Sequence, residues 1–350
     1  MSDNDPRARP LPRLGVRLHG GLSPARCVEL ARATEAAGLA AVWFAENPFS
    51  RGVLPAAAAC AVATERVRIG IGVFNPFNRH PTLIAMEIGA LDELAGGRAA
   101  LGVGSGIGTA VERMGLKYDR PLGAVADTVA IVRAMLRGET ADYSGRVFSA
   151  HGAALGYTPP RPTMPIFMAA RGDRSLALCG RIADGLMISN MCTPAFSARA
   201  RDIVTEAARV AGRPPPGEIV QYVPCVARPD RAEAYEAAKE MLGDMVTGFW
   251  SLGGRFPAAR AAMLQGSGID APEFETAVER LAAGVPAAAA LDDRYVVAFA
   301  IAGTAEDCLA RSAVHGESGV GELVLTFAGA GAPGEIAYLG AAAARLAAAR

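Results

Sequence analysis

The stretch GVFNPFNRHP, residues 72–81, sets Asn75, Arg79 and His80 within six positions. It follows RVRIGIG, which reads as a buried strand, and its prolines and asparagines end that strand. Such a cluster is either a polar surface turn or the rim of a binding site, since binding residues concentrate on loops of this kind. Two further loops have the same character. GVGSGIG (102–108) also follows a strand and has glycines that let backbone N–H groups approach an anion. It fails the dinucleotide pattern G-x-G-x-x-G, and a tight turn explains it equally well. AARGDRS (169–175) ends a strand and opens a helix. Free N–H groups there, with Arg171 or Arg174, suit a phosphate. The alternative is an exposed loop with Asp173 as an ordinary N-cap.

Glu46 closes an apolar strand that holds Trp43 and Phe44. Such a carboxylate can orient a cofactor, act as acid or base, or simply pair with an arginine. His80 precedes Pro81 and either meets a ligand or caps the next helix. No nucleophile–base pattern is present, since GxSxG and HExxH are both absent. A cofactor-dependent reaction is therefore more natural than hydrolysis.

These loops need a scaffold. Apolar runs at 13–18, 40–46, 67–73, 99–104, 165–170, 185–189, 218–227 and 321–327 alternate with helical patterns. Ser23 and Pro24 start the first helix, and Gly38 stops it. The strands are continuously apolar, as parallel strands buried on both faces are. Eight such units predict a TIM (β/α)8 barrel in a single domain over 1–350, with an open doubly wound sheet as the structural rival. Residues 140–163 read as irregular, and 230–290 as a helical insertion before the last strand. In a barrel, chemistry sits at the C-terminal strand ends. Those ends carry His19, Glu46, residues 73–80, 104–108 and 169–173, and the pair Ser189-Asn190.

The 350 residues are 51% hydrophobic with zero formal net charge, which argues against a nucleic-acid or membrane-surface partner. Six scattered cysteines without a CxxC read as buried thiols, and four separated histidines give no metal site. The N-terminal MSDNDPRARPLPR lacks the apolar core of a signal peptide, so a soluble cytoplasmic protein is expected.

IGIGVFNPFNRHP, ALDELAGGRAALGVGSG and MPIFMAARGDRSLALCGRIADG resemble the bacterial-luciferase-like flavin and deazaflavin oxidoreductases. Within them the chain is most similar to the coenzyme F420-dependent methylenetetrahydromethanopterin reductases. LDDRYVVAFAIAGTAEDC (291–308) and GVGELVLTF (319–327) extend the likeness over nearly the whole chain. The resemblance implies an oxidoreductase with F420 at the barrel mouth; the alternatives are a monooxygenase that uses FMN and a barrel that binds flavin or deazaflavin without turnover. It implies a non-prolyl cis peptide at Gly72-Val73 behind the ring, with Asn75 and His80 on the rim and Glu46 near the ring. It assigns the cofactor's tail to Gly104, Ser105 and Gly106 with Ala170, Arg171 and Gly172. Arg17 and Ile107 depart from the pattern, because the pterin reductases carry carboxylates there. These two mark a substrate side adapted to another small molecule, one that is anionic or carbonyl-bearing. A homodimer or homotetramer is implied, and a reductase partner only for FMN dependence.

Overall fold

The computed structural model describes residues 11–349, so residues 1–10 of the N-terminal stretch lie outside the described residues. In chain order the strands are β1 (Arg13–His19), β2 (Ala41–Ala45), β3 (Arg68–Phe74), β4 (Ala99–Val103), β5 (Ala141–Ser144), β6 (Ser149–Ala153), β7 (Ile166–Ala169), β8 (Gly185–Ile188), β9 (Glu218–Ala227), β10 (Ile301–Gly303) and β11 (Glu322–Thr326). Eight of them pair in parallel in the order β1-β2-β3-β4-β7-β8-β9-β11, and β11 pairs back onto β1. The sheet is closed. This is a TIM barrel, and the open-sheet rival is excluded.

The strands pair this way because both faces are covered: every residue of β2, β4, β8 and β11 is buried. The outer face packs on α1 (Pro24–Ala36), α2 (Val53–Ala63) and α3 (Pro81–Leu94); the short α4 (Gly108–Arg113) follows β4, and α5 (Pro121–Leu136), α6 (Asp173–Ile182) and α7 (Pro194–Val210) continue the outer layer. α1 starts as its sequence suggests: the Ser23 hydroxyl accepts from the Arg26 N–H, and Gly38 leaves the helix at φ 71°.

Inside the barrel, glycines make room for large rings. A Cβ on Gly70 would lie 2.2 Å from the Trp43 ring, and one on Gly185 would lie 2.3 Å from Phe167. Trp43 and Phe167 meet edge to face at 5.4 Å and fill the interior. Below them, Trp43 Nε1 donates to Glu322 at 2.5 Å, and Arg68 lies 3.2 Å from the carboxylates of both Glu322 and Glu218. Burial pushes the Glu322 carboxyl up, and Arg68 opposes that shift. The barrel floor is thus plugged, which leaves the opposite mouth for ligands.

Three segments differ from expectation. The 140–163 stretch contains the antiparallel hairpin β5–β6. Asp127 of α5 pins it by accepting from the Tyr143 hydroxyl at 3.0 Å and from the Val147 and Phe148 N–H groups at 2.7 and 3.0 Å. Asp173 is not the N-cap of α6: Gly172 holds that position, and Asp173 pairs with Arg199. The helical insertion runs past residue 290 as α8 (Arg231–Leu252), α9 (Pro257–Leu264), α10 (Ala271–Ala282), α11 (Ala287–Ala290) and α12 (Asp293–Phe299). It ends in β10, which pairs with β9 before α13 (Ala305–Glu317) restores the ring and α14 (Ala332–Ala348) closes it. The insertion has its own apolar cluster, in which Trp250 stacks on Phe274 at 4.7 Å.

Candidate active site at the barrel mouth

The mouth is shaped first by β3. Its register with β4 shifts between Ile71 and Phe74, and the Gly72–Val73 peptide is cis. The Tyr222 hydroxyl of β9 donates to the Gly72 carbonyl at 2.9 Å. There is no room for a side chain at Gly72, because a Cβ would lie 2.1 Å from that hydroxyl. The bulge turns Val73 toward β4, where Cβ atoms on Gly102 and Gly104 would stand 3.1 and 2.7 Å from its methyls. Gly102 and Gly104 of GVGSGIG are therefore required by the bulge itself. Gly106 adopts φ 71° and packs on Asn75, whose Oδ1 accepts from the Phe77 N–H at 3.0 Å.

Glu46, at the end of β2, is held by Arg79. Its oxygens lie 2.9 and 3.2 Å from Arg79 Nη1, while Arg79 Nε lies 2.6 Å from Glu87. Arg79 also stacks over Phe74 at 4.3 Å. Burial pushes the Glu87 carboxyl up, and Arg79 opposes that shift. Of the outcomes open for Glu46, pairing with an arginine is realised, and one cation serves two carboxylates. His80 is the N-cap of α3: its Nδ1 accepts from the Thr82 N–H and lies 2.8 Å from the Thr82 hydroxyl. The exposed ring edge meets Phe148 at 5.6 Å. No hydrogen bond or ion pair joins His80 to Glu46 among the described residues.

At the end of β7, Arg171 Nη2 donates to the Ser189 hydroxyl and the Asn190 carbonyl, both at 2.6 Å. Its guanidinium lies over Phe249 of α8 at 4.7 Å, which joins the insertion to the mouth. Ala170 is buried and its N–H donates to the Met187 carbonyl at 3.2 Å, while Gly172 begins α6. Arg17, on β1, points inward with its guanidinium 5.4 Å from the Tyr222 ring. Burial lowers its pKa, and the same burial together with Arg17 lowers that of His19. Ile107 is exposed at the N-cap of α4, and Ser105 lies beside the half-buried Tyr118 phenol.

Among the described residues, four polar atoms at this end of the barrel are buried without a hydrogen-bond partner: Arg17 Nε, Arg171 Nη1, Asn190 Oδ1 and Thr326 Oγ1. Each such group costs about 1–3 kcal/mol unless a ligand satisfies it. The bulge, the orphaned donors and the glycine loops fit a flat, anionic cofactor of the flavin or deazaflavin type. Tyr222 and Thr326 were not legible as site residues. Both sit in apolar strands, and only their inward register distinguishes them from core.

Comparison with known proteins agrees with this geometry. The chain is 29% identical over 285 residues to the 5,10-methylenetetrahydromethanopterin reductase of Methanolobus tindarius, covering 80% of this chain and 83% of that one. It is 33% identical over 168 residues to the F420-dependent glucose-6-phosphate dehydrogenase of Beutenbergia cavernae, covering 47% and 48%. The solved coenzyme F420-dependent tetrahydromethanopterin reductase of Methanopyrus kandleri superposes with a TM-score of 0.83 at 23% identity, covering 95% of this chain and 98% of that one. The model of the luciferase-like monooxygenases matches residues 11–322, a span that takes in the bulge, the glycine loops and every strand that carries them up to the start of β11; the chain belongs to that enzyme family.

Proposed function

We propose that this oxidoreductase uses coenzyme F420 to transfer a hydride to or from a small organic substrate other than methylenetetrahydromethanopterin. The observation that carries the reading is the Gly72–Val73 bulge, braced by Tyr222 and facing the orphaned polar atoms of the mouth. The F420-dependent relatives support the choice of cofactor. When bound, F420 supplies the hydride-carrying carbon C5 of its deazaflavin ring.

The protein's own part is orientation and electrostatics. The bulge backs the ring, with Asn75 on the rim. The backbone of Gly104, Ser105 and Gly106 and that of Ala170, Arg171 and Gly172 hold the phosphate-bearing tail. Arg171, fixed by Ser189 and Asn190, directs its free Nη1 to that anion. Glu46, locked by Arg79, or His80, whose Nε2 is not used by its cap, is the group that holds and passes the proton at the rim.

Arg17 and Ile107 set the substrate side. A guanidinium in place of a carboxylate reverses the local charge and suits an anionic or carbonyl-bearing molecule. The enzyme works as a homodimer or homotetramer. Leu83, Met86 and Leu94, exposed on one face of α3, support that assembly. Reduced F420 offered with a panel of keto acids and other carbonyl compounds tests the reading. Substrate-dependent oxidation is expected, and Arg17→Met is expected to raise KM about tenfold or more, the scale of a charge-assisted hydrogen bond. Oxygen uptake with reduced FMN, and no turnover of reduced F420, is the opposite result and makes this an FMN monooxygenase with a reductase partner.

A further inference from the structure

A groove of about 730 Å³ lies outside the barrel mouth, between α5, α6 and the β5–β6 hairpin. Its volume is in the range that small ligands occupy. Arg146, Arg174 and Arg181 line it, and none of the three has an ion-pair partner among the described residues. The one carboxylate in the lining, Asp127, is already used by Tyr143 and two backbone N–H groups. Asp173, next to Arg174, is engaged by Arg199. Three guanidiniums against one carboxylate leave the groove with a net positive charge.

It also has a direction. Arg174, Ala177, Leu178 and Arg181 stand at i, i+3, i+4 and i+7, which is one stripe of α6. That stripe begins three residues beyond Arg171 and runs about 10 Å away from the mouth. Spaced guanidiniums along such a track suit a chain of carboxylates better than a single compact anion.

We propose that this groove binds an oligocarboxylate and that its occupant is the tail of glutamate residues that F420 carries beyond its phosphate. The inference rests on the F420 reading and extends it to a site outside the barrel. All three arginines are exposed, so each carboxylate contact should change Kd by only about two- to fivefold, and salt should erode it.

The test titrates the full chain with F420 bearing one glutamate and with F420 bearing five or more, at low and high NaCl. The wild type is expected to bind the long-tailed form about four- to twenty-five-fold tighter at low salt, with the gap closing as salt rises. The double variant Arg146→Gln/Arg181→Gln is expected to bind the short-tailed form within twofold of wild type and to lose the tail-length advantage. Equal affinity of the wild type for both tails, or an advantage that survives in the variant, overturns the tail site while leaving F420 at the mouth. If the wild type binds neither form, the tail site and the F420 reading fall together.

Discussion

Gly72 and Tyr222 show how single residues build the site. The phenol hydroxyl occupies the space that any side chain at residue 72 would need, and it satisfies the carbonyl of the bulge. Tyr222→Phe leaves that carbonyl buried and unpaired, at about 1–3 kcal/mol. Gly72→Ala forces a methyl onto the hydroxyl, at about 1–3 kcal/mol. Phenylalanine removes the nearest atom that alanine meets and leaves the flexible Met187 end at 2.8 Å, so the double variant should cost less than the sum of the singles. Urea unfolding of the four proteins measures this coupling, and strict additivity would show that the two residues act separately. The bulge position follows from likeness to related reductases, whereas its brace is 150 residues away in a strand that reads as plain core. Spacing likewise places Glu46 on the rim but cannot reveal Arg79, 33 residues on, as the side chain that holds it.

At the scale of elements, the barrel was legible because its strands are apolar on both faces and its helices carry ordinary caps. The β5–β6 hairpin was hidden, because its four- and five-residue strands are half exposed and run into a proline-rich stretch, and the carboxylate that pins them comes from α5. A buried polar link joins the outer ring to β9: His315 of α13 lies 3.1 Å from Gln221, which also receives the Ser197 hydroxyl of α7. Burial, with Arg311 nearby, pushes the His315 imidazole down to about 3. The folded state thus refuses a proton that the unfolded chain accepts below its ordinary pKa. Stability from this group is full above pH ~6.5 and is lost as pH falls toward about 3, at ~1.4 kcal/mol per pH unit. Urea midpoints of wild type and His315→Asn across pH 4–7 check the sign: the wild type should fall more steeply with acid, by one proton.

Across the whole molecule, the insertion packs on itself through Trp250 and Phe274 and reaches the mouth through Phe249 over Arg171. Its helical character was visible in sequence; its extension through α12 into β10 was not, because three residues of edge strand carry too little pattern. Trp250→Ala opens a cavity inside that cluster and is expected to cost about 3–5 kcal/mol in global stability. Phe249→Ala removes a half-exposed ring, so it should leave stability within about 1 kcal/mol and weaken anionic ligand binding severalfold. Thermal unfolding and ligand titration separate the two.

A mouth shaped for F420 must prefer it to FMN. A titration of the purified protein with F420 and, separately, with FMN, followed by calorimetry or by quenching of Trp43 in the barrel interior, measures that preference. Tight binding of F420 and weak binding of FMN are expected. Tight FMN with weak F420 would contradict it and assign the chain to the flavin-dependent monooxygenases of its family.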